Sequence, residues 1–387
     1  MAVLLLAVPL SVAAQTDRPT GLEFAGLPAL NFDSDEGVGY GVMAEVYQYG
    51  DGTLAPYLWT IQPRVFITTR GRQDFTLSFD APHLLPAGWR VNGFLGIEKR
   101  ITTPYYGLGN ESRFEEALED PSGPNPHYYD FGRLRRSAIF NLQRNLPGTP
   151  LWALFGAGLV TTRVDPTPED EGTTLFAADA GPASETYWTN YLRAGLIWDT
   201  RDRETGPRSG AWSEVVVQWV TESLGADVAF TRWSLTDRRY YSLTSRLVFA
   251  HRYFLQGVRG DAPIHQLQRI QTSFQQGEGL GGSATVRGLP KNRFAGKGML
   301  VWNAELRWRV ADFQAVGRSF HAVLSTFLDQ GRVWSNGVRV AELLSDLHRG
   351  YGVGVRVGMG ENFVAAADVA HSSEANLPIY LGLGYLF

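Results

Sequence analysis

The sequence predicts an all-β fold: a 16-stranded antiparallel transmembrane β-barrel with a long sixth extracellular loop folded into the lumen. Three observations predict the barrel itself, and the motif described below predicts the position of the loop. Polar and apolar residues alternate along many segments, the connections between these segments sort by length, and no apolar run is long enough for a membrane-spanning helix. The composition agrees, because charged residues make up only 19% of a chain that has 43 glycines and 12% aromatic residues.

The chain begins with its longest apolar run, AVLLLAVPLSVAA at residues 2–14. A membrane-spanning helix needs about 20 apolar residues, so this run is too short to be one. The small residues up to Ala14 look like a cleavage site, which predicts a signal peptide over residues 1–14. A buried N-terminal strand or a wrongly assigned start is the alternative. Residues 15–23 are then expected to be a short periplasmic N-terminus, and residues 24–387 to form the barrel.

The alternation is clearest in residues 299–310, where every second side chain on one face is apolar. A soluble β-sandwich also alternates, but its strands usually have about 5–6 residues and these segments are longer. A tilted membrane strand needs about 9–11 residues, and an outer-membrane barrel carries an outward apolar band edged by aromatic rings. We therefore expect a membrane barrel. The apolar face of this segment consists of Leu300, Trp302, Ala304, Leu306, Trp308 and Val310.

Sixteen segments fit this pattern, and an even number returns both chain ends to the periplasmic side. The alternate connections then separate into a short set and a set that contains every long one, as expected for periplasmic turns and extracellular loops. The long connections are 101–130, 164–185, 257–298 and 330–349. The predicted strands are 24–33, 37–48, 57–69, 73–82, 89–100, 131–144, 151–163, 186–199, 210–221, 227–237, 244–256, 299–310, 318–329, 350–359, 362–370 and 378–387.

The residue content argues against an enzyme, a metal site and a nucleic-acid-binding protein. The absence of cysteine excludes thiol catalysis and cysteine-ligated zinc, and a net charge of −4 gives no positive field for nucleic acid. His321, Ser325 and Asp329 share one strand face, but successive members lie about 13 Å apart, too far for a catalytic contact. We expect no catalytic residues, no metal and no cofactor. The acidic segments 110–126 and 165–184 are expected to be solvated loops, with calcium binding as the alternative.

The connection 257–298 contains the most distinctive motif, GGSATVRGLP. Its arginine would be costly inside a barrel without an anionic partner. Glu305 and Asp329 both fall on the inward face by alternation, so we expect Arg287 to pair with one or both and to pin the loop inside. An arginine exposed to water on a free loop is the alternative. The predicted loop-anchoring motif consists of Gly281, Gly282, Val286, Arg287, Gly288 and Leu289.

These features together resemble the BamA/TamA-type outer-membrane β-barrel superfamily, the bacterial surface antigen family. In that family a Val-Arg-Gly-aromatic tetrad lies on a sixth loop that folds back into the barrel, and here the fourth position is Leu289. The segments NAELR at 303–307 and FLDQG at 327–331 are similar to the family's strand motifs. The family's D-T-R-D turn is matched by a turn motif that includes Asp199, Arg201 and Asp202.

The C-terminal strand resembles the signal by which the assembly machinery recognises outer-membrane barrels. Its residues Leu383, Tyr385 and Phe387 are expected to lie on one face of the strand. Pro28 in the first strand cannot donate to a ladder, and Gly382 in the last strand weakens pairing. We therefore expect a weak seam between the first and last strands, which in this family is thought to open laterally. Simple closure of the barrel is the alternative.

The resemblance implies a protein of the bacterial outer membrane that assists the translocation or insertion of a protein or lipid. The periplasmic POTRA domains that precede such barrels are not seen in this sequence, so a separate periplasmic or extracellular partner protein is expected. The other expected partners are outer-membrane lipid and, during biogenesis, the barrel assembly machinery; no nucleic acid is expected. A structural or passive-pore barrel without translocase activity is the alternative, and an outer-membrane hydrolase is disfavoured.

Overall fold

The computed structural model describes residues 20–33, 37–54, 56–86, 88–118, 125–168, 173–273, 276–315, 318–359 and 363–387. The predicted signal peptide lies outside these residues, and so do residues 15–19 of the predicted periplasmic N-terminus. Among the helices that are described, none has both the length and the apolar content to cross a membrane.

The described residues form a closed barrel of sixteen antiparallel strands, which confirms the predicted all-β barrel and its strand number. Each strand pairs with its neighbours in chain order, and the first also pairs with the last. The strands are β1 (Leu22–Asp33), β2 (Gly37–Gln48), β3 (Trp59–Thr68), β4 (Arg72–Leu85), β5 (Trp89–Pro104), β6 (Asp130–Asn145), β7 (Leu151–Asp165), β8 (Glu185–Trp188 and Tyr191–Asp199), β9 (Gly210–Val220), β10 (Phe230–Ser242), β11 (Leu247–Gly260), β12 (Gly298–Ala315), β13 (Arg318–Trp334), β14 (His348–Met359), β15 (Phe363–Ser372) and β16 (Asn376–Leu383).

Side chains alternate between the two faces of the barrel wall, as the period of a strand requires. On β14, Val353 and Val355 are exposed on the outer face, whereas Arg356 beside them is buried on the inner face. On β7, Phe155 and Leu159 are exposed in the same way. The outer face is therefore an apolar surface, and the inner face holds the charged residues.

Several predicted strands differ from the observed strands in their extent, and two of these differences have a clear physical reason. The segment 186–199 is interrupted because the side chain of Asn190 accepts a hydrogen bond from the backbone of Val160 at 3.0 Å, in place of a ladder bond. The segment 378–387 ends at Leu383, because Gly384 adopts a left-handed conformation with φ of 82°. The last residues of the chain therefore leave the barrel wall.

The barrel closes through a short pairing of β1 with β16. Two residue pairs join these strands among the described residues, Phe32 with Leu381 and Asp33 with Tyr380. By contrast, β1 pairs with β2 along its whole length. Fewer ladder bonds hold the first and last strands together than hold the first and second.

The long connections are partly folded and are not simple solvated loops, which corrects the expectation for residues 165–184. Within them a short helix, α1 (Leu175–Ala180), begins after Thr174, whose side chain accepts a hydrogen bond from the backbone of Ala177. The ring of Phe176 on this helix is buried and stacks on Phe131 of β6, with 4.1 Å between ring centroids. Burial of these rings explains why the chain folds here.

Candidate functional site

The motif loop, residues 261–297 between β11 and β12, contains a short hairpin and a buried apolar cluster. The hairpin pairs Arg269–Gln271 with Gln276–Glu278. Val286 and Leu289 of the motif are almost completely buried, so Leu289 fills the fourth motif position as a packed apolar side chain. The cluster consists of Phe254, Ile270, Leu280, Val286, Leu289, Phe294, Met299, Val301 and Val333, and it joins the loop to the inner face of β11, β12 and β13.

Arg287 of the motif forms a two-pronged hydrogen bond with Asp329 on β13. Its Nε lies 2.7 Å from Oδ2 and its Nη2 lies 3.1 Å from Oδ1, and its backbone N–H also donates to Oδ2 at 3.1 Å. Asp329 and Arg287 are 0% and 1% exposed. A bidentate bond between a guanidinium and a carboxylate fixes both position and orientation, so this contact determines where the loop meets the barrel wall.

Two further carboxylates contact the same guanidinium. The Nη1 atom of Arg287 lies 2.9 Å from Glu305 of β12 and 3.1 Å from Asp368 of β15. Arginines of the barrel wall bind these two acids in turn, at 2.8 Å from Arg307 to Glu305 and 2.5 Å from Arg356 to Asp368. Three arginines and three carboxylates therefore form one balanced buried cluster, in which removal of any charge leaves another uncompensated.

The surroundings of Arg287 favour its charged form. Burial alone lowers the pKa of a guanidinium, but the carboxylates of Asp329 and Glu305 more than offset this, so the pKa of Arg287 is raised above its usual value. The guanidinium carbon also lies 3.5 Å from the centroid of the Phe327 ring, close enough for a cation–π interaction. Arg287 is thus a permanent buried cation that both ion pairs and a ring hold in place.

Glycines allow the motif loop to approach the barrel wall closely. A Cβ added at Gly350 on β14 would overlap the carbonyl oxygen of Arg287. Gly281 and Gly288 have φ of 113° and 101°, which other residues adopt only with strain, and a Cβ added at either one would collide with a backbone oxygen. The motif therefore needs glycine at these positions, and so does the facing strand.

A second ion cluster holds the hairpin of the motif loop. Glu278 contacts Arg133 of β6 and lies 2.9 Å from Lys291 of the same loop. Burial raises the pKa of the Glu278 carboxyl, but the nearby Lys291 and Arg133 reverse the effect, so its pKa lies well below the usual range. Two residues therefore bind the motif loop to the barrel wall. Arg287 pairs with Asp329, and Glu278 pairs with Arg133.

The last two strands also bind the motif loop, through groups that were not predicted. The backbone N–H of Gly288 donates to the hydroxyl oxygen of Tyr380 on β16 at 3.2 Å. The hydroxyl of Ser372 on β15 donates to the carbonyl of Gly288 at 2.7 Å. These bonds connect the loop to the strand that closes the barrel.

We predict that Tyr380→Phe lowers the free energy of unfolding of the barrel by about 1 kcal/mol, because a buried N–H loses its acceptor. Urea titration in lipid vesicles measures this change. Tyr40→Phe is a suitable control, because that ring is exposed on the outer face of β2. Equal effects of the two substitutions would contradict the assigned contact.

The turn motif between β8 and β9 is held by its own side chains. Arg201 forms two hydrogen bonds of 2.9 Å with Asp199, and its guanidinium lies 4.4 Å from the ring centroid of Trp212. Asp202 accepts hydrogen bonds from the backbone of Arg208 and Ser209 at 2.9 and 3.3 Å. These contacts account for the residue types of the motif as a rigid turn.

The predicted C-terminal signal residues do not share one strand face. Leu383 is exposed on the outer face, but Phe387 is buried inside and packs in a cluster with Tyr240 and Ala250. The main-chain oxygen of Phe387 accepts a hydrogen bond from Arg307 at 2.9 Å, and Tyr385 lies 4.5 Å from the same guanidinium. The turn at Gly384 explains the difference, since alternation cannot continue through it.

Sequence reasoning missed Asp368 and Arg356 as members of the charge cluster. Arg356 alternates with valines on β14, and Asp368 occupies an inward position in the alternation of β15. The sequence therefore predicts which face of the barrel each side chain lies on. It does not predict their neighbours, because the contact with Arg287 depends on the register of β13, β14 and β15. Among the described residues, no group of three or more histidine or acidic side chains has an arrangement that could hold a metal ion.

Known proteins share this sequence pattern and this fold. A profile of the Omp85 superfamily domain matches residues 63–364. The structure is similar to that of BamA from Haemophilus ducreyi lacking POTRA domains 1–3, with a TM-score of 0.57, 12% identity, and coverage of 95% of this chain and 70% of that one. It is also similar to CdiB from Escherichia coli, with a TM-score of 0.59, 12% identity, and coverage of 93% and 62%.

The chain therefore spans less than two thirds of the length of that CdiB structure. No curated protein sequence matches the chain. The likeness to the solved structures shows the fold, and the profile match covers most of the sequence. The resemblance inferred from the sequence motifs is confirmed: the chain belongs to the Omp85 superfamily.

Proposed function

We propose that the protein is an outer-membrane barrel that assists the translocation or insertion of a protein or lipid, together with a separate partner protein. Membership of the Omp85 superfamily supports this function, because the similar structures include BamA and CdiB. The alternative is a structural or passive-pore barrel without translocase activity. Such a pore would have the same fold, but its motif loop and its seam would take no part in moving a client.

The outer face of the barrel supports a membrane location. Large apolar side chains are exposed on it along many strands, among them Leu95, Phe140, Leu196 and Trp219. An exposed apolar surface of this extent is unfavourable in water and is typical of a barrel in lipid. We therefore propose that the protein lies in the outer membrane of a bacterium.

The observation that carries the proposal is the buried contact of Arg287 with Asp329. Three carboxylates surround this one loop arginine, and a buried charge cluster is costly to maintain. We propose that this cluster retains the motif loop in the lumen. A loop held in this way connects the wall at β13 to Tyr380 on the closing strand, so it can coordinate the two.

The seam itself supports a lateral opening. The seam has two residue pairs in the described part of the chain. Its second strand, β16, ends just before the backbone turns at Gly384. Opening this seam breaks fewer ladder bonds than separating β1 from β2. We propose that a client enters the membrane here.

We predict that a disulfide across the seam abolishes client insertion. Phe32 and Leu381 are ladder partners, and the Cα atoms of such partners lie about 4.5–5.5 Å apart, within the range of a disulfide. The chain has no cysteine of its own, so the double variant Phe32→Cys/Leu381→Cys forms one defined bond. The measurement is the rate at which an unfolded barrel protein becomes protease-resistant in native outer-membrane vesicles, which contain this protein and its proposed partner.

The matched control joins β1 to β2 through Phe32→Cys/Val38→Cys, because these two residues are also ladder partners. We expect acceleration of folding by the reduced seam variant and by the control in both redox states, and no acceleration by the oxidised seam variant. Acceleration that survives oxidation would contradict lateral opening. A steady ion conductance without any acceleration would favour the passive pore.

A partner protein is tested separately, by purification from native membranes after chemical cross-linking. We expect one periplasmic or extracellular protein to be recovered in constant proportion to the barrel. Recovery of the barrel alone, at full insertion activity in liposomes, would show that no partner is needed.

A further inference from the structure

A cavity of about 680 Å³ lies beside the motif loop, and its wall is strongly basic. In the described part of the chain, six arginines line it and three carboxylates do, namely Asp74, Asp80 and Glu98. Each of these acids already has an arginine within 2.8 Å. The cavity therefore keeps an excess of positive charge after the internal ion pairs are formed. Its arginines are Arg64, Arg72, Arg90, Arg193, Arg238 and Arg252.

Two of these arginines stand directly opposite each other. Arg238 on β10 and Arg252 on β11 are ladder partners, and both line the cavity. Like charges in directly opposed positions destabilise a sheet. No carboxylate of the described residues lies within ion-pairing distance of either one. The paired strands therefore hold two cations next to each other, with no carboxylate of the described residues between them.

The donors of this pair are only partly used. Arg252 donates to Asn303 and to the carbonyl of Ala284, both at 2.9 Å. The Nε atom of Arg238 is buried, and no group of the described residues accepts a hydrogen bond from it. A buried N–H of a guanidinium favours an acceptor, so the Nε atom of Arg238 can donate to a bound anion.

We propose that the cavity binds a small phosphate-bearing molecule, with the phosphate between Arg238 and Arg252. Two guanidiniums on neighbouring strands offer more donors than one carboxylate can accept, whereas a phosphate has three or more oxygens for them. The volume is that of a small-molecule site and is too small for a folded client. Phe254, Val301 and Leu386 form an apolar part of the wall for the rest of the molecule.

A second cavity of about 260 Å³ adjoins this site. It shares Arg90 and Arg238 with the first cavity, and it reaches the turn between β8 and β9 at Arg201 and Thr205. That turn lies at the end of the barrel opposite the long connections. Thus the ligand would arrive from the side of the short turns. This inference does not depend on the proposed function, because it rests only on the lumen wall.

The test is calorimetric titration of the full chain in phosphatidylcholine nanodiscs. The probes are inorganic pyrophosphate and water-soluble dihexanoyl phosphatidylglycerol, with dihexanoyl phosphatidylcholine and an acidic peptide as comparisons. We expect saturable binding of a phosphate probe. Arg238→Gln and Arg252→Gln should each lower its affinity by about tenfold or more. Arg259→Gln on the same strand as Arg252 is the control, because Arg259 is exposed and lies outside the cavity.

The outcomes separate the two sources of phosphate. Tighter binding of the short-chain phosphatidylglycerol identifies a lipid headgroup, and tighter binding of pyrophosphate identifies a free phosphate compound; both support the site. Binding of neither, binding of the peptide alone, or equal affinity in the wild type and both variants overturns it. Migration of unheated samples on gels verifies that the variants are folded, and Arg238→Lys should restore part of the affinity.

Discussion

Arg287→Ala should lower the free energy of unfolding of the barrel by about 3–5 kcal/mol. The substitution leaves Asp329 and Glu305 buried, with Asp329 deprived of both of its bonds to the guanidinium. This decrease is larger than the stabilisation that the ion pairs themselves contribute, because an uncompensated buried carboxylate must be protonated or hydrated. Urea titration of the protein in lipid vesicles measures the change.

The same variant should also alter ion conductance, because the motif loop loses the contact that determines its position on the wall. Arg287→Lys separates charge from geometry: it keeps the cation but cannot form the two-pronged bond to Asp329. We expect it to lie between the wild type and the alanine variant. An alanine variant that matches the wild type in both stability and conductance would contradict the assigned role of Arg287.

Gly350→Ala should displace the motif loop without removing any charge. The added methyl group would overlap the carbonyl oxygen of Arg287, which is backbone and cannot rotate away. Overpacking of this kind costs about 3 kcal/mol, and here it acts on a strand position that the loop backbone touches directly. We expect lower stability together with faster tryptic cleavage after Lys291, which is part of the displaced loop.

The matched control is Gly382→Ala on β16, where a methyl group would meet no atom of the described residues within 4 Å. It makes the same chemical change in a barrel strand, and it should leave cleavage of the motif loop unchanged. Equal cleavage of the two variants would show that the effect arises from loss of glycine in a strand and not from contact with the loop.

The barrel could be predicted because each strand carries its own signal. Alternation and connection length are local properties, so sixteen strands and the inward positions of Glu305 and Asp329 could be read without a structure. Strand ends are harder to predict, because β10 and β11 continue to Ser242 and Gly260 for as long as they pair with each other.

The rest of the site depends on neighbours that are distant in the sequence. Asp368 meets Arg287 only because β15 pairs with β14 in one register, and Tyr380 reaches Gly288 across 92 residues. The inward turn of the C-terminus depends on the backbone of Gly384, which alternation along the last strand does not reveal. Such contacts follow from the closure of the barrel and not from local pattern.

The most direct test of the account is a double-mutant cycle for Arg287→Ala and Asp329→Ala, measured as free energies of unfolding in lipid vesicles. If the two side chains hold the motif loop through one buried contact, the second substitution lowers the free energy of unfolding much less when the first is already present. We predict a coupling energy of at least about 2 kcal/mol. Costs that simply add would contradict the claim that this ion pair anchors the loop.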